Sequence, residues 1–106
     1  MTNPIYTGPL KDHLQNYVDL KRAMGYKFDV EASCLKRFDR FTLEKYPETT
    51  ALTKKIVLAW CSKKTYEAEA TRYRRGIIMR KFGAYLESVG VKAYILPKKY
   101  YSRGKQ

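Results

Sequence analysis

The stretch Ala70–Leu86, ATRYRRGIIMRKFGAYL, begins with a cluster of arginines and continues as an amphipathic apolar pattern. Its apolar residues recur at the three- and four-residue steps of one helix face: Ile78, Met79, Phe82, Tyr85, Leu86 and Val89. Gly90 is typical of a helix end. We predict a helix over residues 66–90, with either Thr65 or Thr71 as its N-cap. Such a face must be covered by other parts of the chain.

Three more helical patterns precede this stretch, over about residues 9–24, 29–46 and 53–62. Pro9 is suited to the first turn of the first helix, and Gly25 ends that helix. Asp29 and Thr53 are predicted to cap the second and third helices. The predicted inward faces are Leu10, Leu14, Tyr17 and Met24; then Cys34, Leu35, Phe38, Phe41 and Thr42; then Ile56, Val57 and Trp60.

The chain of 106 residues fits a single domain with one core, and the patterns predict an all-α, four-helix bundle. We interpret Trp60 as a core residue rather than a platform for base stacking. Residues 91–106, VKAYILPKKYYSRGKQ, are basic, interrupted by proline and without a helix or strand period. They are interpreted as a basic tail that leads elsewhere.

The formal net charge is +12, from 22 Lys and Arg against 10 Asp and Glu. A field of this sign on a small domain attracts polyanions, of which DNA and RNA are the commonest in a cytoplasm. No stretch has the hydrophobic length of a membrane span, and the apolar faces are needed for a core. We therefore predict a cytoplasmic protein with no membrane partner, also because the N-terminus lacks a secretory pattern.

The residue types that perform catalysis or bind metals are sparse. Cys34 and Cys61 have no His or Cys at ligand spacing and are interpreted as reduced core thiols. The lone His13 is interpreted as a surface or boundary residue. Tyr100 and Tyr101 lack an activating base. The sequence thus predicts no enzyme activity, no metal, no cofactor and no small-molecule substrate.

Arg72, Arg74 and Arg75 form the first candidate binding cluster. Arg75 is in line with Met79 and Phe82, at the start of the apolar face. Because burial of an unpaired guanidinium is costly, we predict that this end of the helix extends past the core into water or onto an anion. The alternative is a solvated basic end with Glu67 and Glu69 as local partners.

Two further clusters complete the candidate set. Ser33, Lys36, Arg37 and Arg40 are assigned to the outer side of the second helix, and Lys63 and Lys64 precede the last one. Together with Thr71 these form the predicted DNA-binding residues, since arginine donates paired hydrogen bonds to phosphates and guanine edges. Two helices with exposed cations favour binding to a nucleic-acid duplex over binding to a single strand. The ten tyrosines leave binding of a single strand open, because exposed aromatic side chains stack on bases.

Four segments in this order resemble the N-terminal core-binding, SAM-like domain of the tyrosine recombinases, or phage-type integrases: YVDLKRAMGYKF, LKRFDRF, LTKKIVLAW and TRYRRGIIMRKFGAYLESVG. The resemblance implies half of a clamp around duplex DNA, with Thr71, Arg72, Arg74 and Arg75 facing the DNA and Ser33, Lys36 and Arg40 assisting. It also implies a separate catalytic domain with two arginines, a lysine, a His-x-x-Arg pair and a nucleophilic tyrosine. Here His13 is followed three positions later by Asn16, so that pattern is missing.

The expected function is therefore duplex DNA binding in DNA integration and recombination, by a fragment of a longer recombinase. The expected partners are double-stranded DNA and other recombinase protomers on it. Two alternatives remain: a standalone small basic DNA- or RNA-binding regulator, and a protein interaction domain.

Overall fold

The computed structural model describes residues 6–62 and 69–97. Four helices form in this part of the chain: α1, Lys11–Ala23; α2, Asp29–Lys45; α3, Lys54–Cys61; and α4, Glu69–Ser88. Within the same residues the only β-type pairing is one parallel bridge, between Leu52 and Ala93. The prediction of an all-α fold with four helices is confirmed. The chain divides into two compact units, unit 1 (Met1–Thr50) with α1 and α2, and unit 2 (Ala51–Gln106) with α3 and α4.

The core of unit 1 lies between α1 and α2. Its fully buried side chains include Leu10, Leu14, Val18, Leu35 and Phe38, so the apolar spacing of both helices correctly predicted their inner faces. Met24 is an exception, because it is 59% exposed. The reason is that α1 ends at Ala23, and the chain then turns through Gly25 at a φ of +101°.

The N-cap of α2 is Phe28 and not Asp29, which corrects the capping prediction. Phe28 has a φ of 62°, a left-handed conformation that costs a non-glycine residue about 1–2 kcal/mol. Its ring meets the Tyr17 ring edge-on, with the centroids 5.5 Å apart, and this contact helps to hold the turn. Asp29, the first helical residue, instead accepts a hydrogen bond from Arg22 Nη2 at 3.1 Å.

Asp39 joins α2 to the segment that leads into α1. Its carboxylate is 2% exposed and accepts the backbone N–H groups of Thr7 and Gly8, each at 2.8 Å. A Cβ atom at Gly8 would lie 2.8 Å from both the backbone oxygen and Oδ1 of Asp39. Glycine is thus required here by close approach. Neither residue was assigned a role from the sequence.

In unit 2, the Thr53 hydroxyl accepts the N–H of Ile56 at 3.2 Å, which confirms Thr53 as the cap of α3. α3 and α4 pack together, and their buried side chains include Ile56, Val57, Met79, Phe82 and Leu86. Trp60 is buried, as predicted. Val89 was predicted in the apolar stripe but is exposed, because α4 ends at Ser88 and Gly90 turns the chain at a φ of +87°.

The first residues of the predicted basic tail pack within unit 2. Leu52 N–H donates to the Lys92 carbonyl at 3.1 Å, and Tyr94 N–H donates to the Leu52 carbonyl at 2.7 Å. Ala93 and Leu96 are buried. One bridge pair and two buried side chains are too short a pattern to show a period. Residues 98–106 lie outside the described part.

Candidate nucleic-acid interface

The chemistry of α4 differs by face rather than by half. The buried residues that carry larger side chains are Arg75, Ile78, Met79, Phe82 and Leu86, whereas the exposed residues include Thr71, Arg74, Arg80, Lys81, Ala84 and Glu87. Arg74 and Lys81 are one heptad apart and so share a side, separated by about 10.5 Å along the helix axis. The exposed cations therefore extend into the second half of the helix, beyond the arginine cluster.

Arg75 does not extend into water, which corrects the prediction for this residue. Its side chain is 6% exposed. The guanidinium carbon lies 5.6 Å from the centre of the Trp60 ring, and Nη2 donates to the Ser62 carbonyl at 2.9 Å. Arg75 is thus part of the packing of unit 2 and is not available to contact DNA.

A cation is tolerated at this buried position for two physical reasons. Ser62 is the C-cap of α3, where carbonyl groups lack helical partners and the helix dipole favours positive charge. An indole face attracts a guanidinium, the more so away from water. Both partners come from another helix and its C-cap, so they are not visible in the sequence around Arg75.

The other residues of this cluster are accessible to different degrees. Arg74 and Thr71 are exposed and Arg72 is half-buried. The Nε of Arg72 is buried and has no hydrogen-bond partner among the described residues. Because α4 begins at Glu69, Thr71 lies inside the helix and is not its N-cap. Thr65, Lys63, Lys64 and Glu67 lie outside the described residues.

The predicted cluster on α2 lies on the outer side of unit 1, as expected. Ser33, Arg37 and Arg40 are exposed and share a face at steps of four and three, and Lys36 is half-buried. Glu44 continues the same face four residues later and is also exposed. The cationic part of α2 is therefore short and has an acidic neighbour.

The two units differ sharply in charge. Residues 1–50 have eight Lys and Arg and seven Asp and Glu, a net charge of +1. Residues 51–106 have 14 Lys and Arg against three Glu, a net charge of +11. Almost all of the positive charge of the chain thus belongs to unit 2.

Among the described residues of unit 2, five exposed cations were not in the predicted binding set: Lys54, Lys55, Arg80, Lys81 and Lys92. Lys54 Nζ lies 5.9 Å from the centre of the Tyr94 ring. Lys54, Lys92 and Tyr94 also line a cavity of about 300 Å³ at the Leu52–Ala93 bridge. Counting charge separately in each half of the sequence would have directed attention to these residues.

Other kinds of site have less support in the described residues. Over residues 6–62 and 69–97, no three His, Cys, Asp or Glu side chains are placed to bind a metal ion together. Cys34 and Cys61 are buried free thiols in different units. None of the helices in the described ranges is long and apolar enough to cross a membrane.

No known family model, curated protein sequence or solved structure matches the chain. The resemblance to a recombinase core-binding domain therefore stays a prediction.

Proposed function

We propose that this chain binds duplex DNA as the core-binding domain of a tyrosine site-specific recombinase, in DNA integration and recombination. The observation that supports binding most directly is the exposed face of α4, where Arg74, Arg80 and Lys81 occur on a chain of net charge +12. Guanidinium and ammonium groups on one helix bind the phosphates of a polyanion and release its counterions. The assignment to a recombinase rests on the sequence motifs.

The surface of α4 favours a nucleic acid over an anionic membrane. A helix that lies on a bilayer presents large apolar side chains opposite its cations. The apolar side of α4, with Met79, Phe82 and Leu86, is buried inside unit 2. Between its exposed cations, α4 presents small or half-buried residues, such as Ala84 and Ile77. Small side chains allow a helix to approach a nucleic-acid groove closely.

The proposed role is binding without strand cleavage. The cutting chemistry belongs to a separate catalytic domain of the longer recombinase, and further protomers on the same DNA are the second class of partner. Such a protein would act in the cytoplasm.

A titration with a fluorescently labelled duplex of about 25 base pairs tests the proposal. A domain that contacts four to six phosphates should show a slope of log affinity against log salt of about −4 to −5. An RNA duplex of the same sequence is the matched competitor, and preference for it would favour the regulator alternative. Binding that is absent at low salt, or insensitive to salt, would contradict a phosphate-contacting role.

Cleavage is tested separately with supercoiled plasmid under the same conditions. We expect the plasmid to remain supercoiled and no protein to become attached to it. Nicking, or a covalent tyrosyl adduct that persists through purification, would overturn the assignment to a binding domain without catalysis.

A further inference from the structure

We infer that the phosphate-contacting surface of this chain belongs to unit 2 alone, and that the basic cluster on α2 is not required for it. The surface, called here the unit 2 basic surface, consists of Lys54, Lys55, Arg74, Arg80, Lys81 and Lys92. This inference rests on the proposed function and names which side chains perform it. Five of these six cations, all except Arg74, are absent from the set of DNA-binding residues predicted from the sequence.

The two units differ in their balance of acidic and basic residues. In unit 1, the cations of α2 are part of a segment with almost as many acids as bases. At physiological salt, charges interact over about 8 Å, and the exposed Glu44 lies within about 6 Å of Arg40 along the axis of α2, so it offsets part of the attraction of this cluster for a phosphate. In unit 2, the three glutamates neutralise only a small part of 14 cations. Attraction of a polyanion is thus concentrated there.

Cations lie close together around the start of α3. Lys54 and Lys55 form its first turn, which contains no acidic residue. The hydrogen bond from Leu52 N–H to the Lys92 carbonyl brings the Lys92 backbone to the same place, and Lys54 and Lys92 line one cavity. Like charges near the positive end of a helix dipole lower stability, and a bound phosphate removes that cost.

The α4 cations Arg74, Arg80 and Lys81 lie in the same unit as the α3 lysines and are exposed. α3 and α4 pack against each other, so the α4 cations and the α3 lysines are fixed to one packed body. Arg74 and Lys81 lie on one side of α4. Unit 2 can therefore contact several phosphates without any contribution from α2.

Three double variants with equal loss of charge test this inference. Arg74→Gln with Lys81→Gln alters α4, Lys54→Gln with Lys55→Gln alters α3, and Arg37→Gln with Arg40→Gln alters α2 as the matched control. All six side chains are exposed, and glutamine is a good helix former, so each variant should fold like the parent. Circular dichroism melts verify this. Each variant retains a net charge of +10.

The readout is the salt dependence of duplex binding. Loss of two phosphate contacts should make the slope of log affinity against log salt shallower by about 1.8. We expect this for both unit 2 variants, with affinity at 100 mM salt about 10- to 30-fold lower. The α2 variant should change the slope by less than about 0.5 and the affinity less than about 3-fold.

The possible failures are distinguishable. A parent chain that does not bind DNA with salt dependence contradicts the proposed function itself. A parent that binds, together with an α2 variant that loses as much as the α4 variant, overturns only the restriction to unit 2. An α3 variant with an unchanged slope removes the α3 lysines from the surface and overturns the inference as stated.

Discussion

The guanidinium of Arg75 lies 5.6 Å from the centre of the Trp60 ring and donates to the carbonyl of Ser62 at 2.9 Å. This contact holds α4 against the C-terminal end of α3. Arg74, the preceding residue, is exposed. Two adjacent arginines therefore have different tasks, since one maintains the fold of unit 2 and the other is free to meet a phosphate.

Replacement of Arg75 with alanine should destabilise unit 2 by about 2–3 kcal/mol, because the stacking contact and the hydrogen bond to the helix end are both lost. Arg74→Ala should change stability by less than about 0.5 kcal/mol, since it alters an exposed side chain. Chemical denaturation followed by circular dichroism measures both. Arg75→Lys, which retains the charge but not the planar group, should lie between them. Equal stability of Arg75→Ala and Arg74→Ala would contradict the packing role.

Asp39→Ala should destabilise unit 1 by about 2–4 kcal/mol, because two backbone N–H groups near the buried carboxylate lose their acceptor. Asp29→Ala is the matched control on the same helix. It removes an exposed ion pair with Arg22 and should cost at most about 1 kcal/mol. The urea concentration at the midpoint of unfolding, measured for each variant, compares the two losses of stability. A smaller effect at Asp39 than at Asp29 would show that the Thr7 and Gly8 contacts do not stabilise the unit.

Gly8 and Gly25 should respond in opposite ways to substitution. At Gly8 an added Cβ atom would lie 2.8 Å from Asp39. At Gly25 an added Cβ atom would have no neighbour within 4 Å beyond the adjacent residues, so the φ of +101° is the constraint. Asparagine accepts left-handed conformations better than alanine does. Gly25→Asn should therefore be more stable than Gly25→Ala, but Gly8→Asn should be less stable than Gly8→Ala. Melting temperatures of the four variants test this, and the same order at both sites would refute it.

Unit 1 should lose stability at high pH. Burial raises the pKa of both Tyr6 and Tyr17 to about 12, from the usual tyrosine value of 10.0. Between pH 10 and pH 12, the hydroxyl groups of Tyr6 and Tyr17 lose their protons in the unfolded chain but retain them in the folded chain. The stabilisation is thus complete below pH 10 and is lost as the pH rises through 12.

Melting temperatures measured across this range check the pH dependence. Tyr17→Phe removes one titrating group and should make the decline shallower. Tyr26→Phe, at an exposed position, is the control and should decline like the parent. A parent whose stability is constant from pH 9 to pH 12 would contradict the burial of these hydroxyl groups.

Spacing of apolar residues predicted the four helices and most of their inner faces, because a helix buries residues at three- and four-residue steps whatever its partner is. Leu14, Phe38 and Phe82 all lie where that period placed them. The Thr53 cap was also readable, since its partner Ile56 is three residues away. These features could be predicted because each depends on residues that are close together in the sequence.

The features that sequence reasoning missed depend on distant partners. Arg75 is buried because Trp60 and Ser62 come to it from another helix, and Asp39 matters because Thr7 and Gly8 meet it across about 30 residues. Phe28 adopts a left-handed cap, supported by the Tyr17 ring. Among the candidate binding residues, Arg74 could be recognised from the sequence because it belongs to an arginine cluster. Its exposure could not be predicted, because that depends on how α4 is oriented in unit 2.

The bonds from Thr7 and Gly8 to Asp39 also determine when the start of unit 1 can form during synthesis. The acceptor is 31 residues further along the chain than the Gly8 donor. At about 5–20 residues per second, the ribosome needs roughly 2–6 s to add that length. A helix of 13 residues such as α1 is marginal by itself. The segment with α1 is therefore stabilised only after α2 has been synthesised, and it remains open to chaperones and proteases for that time.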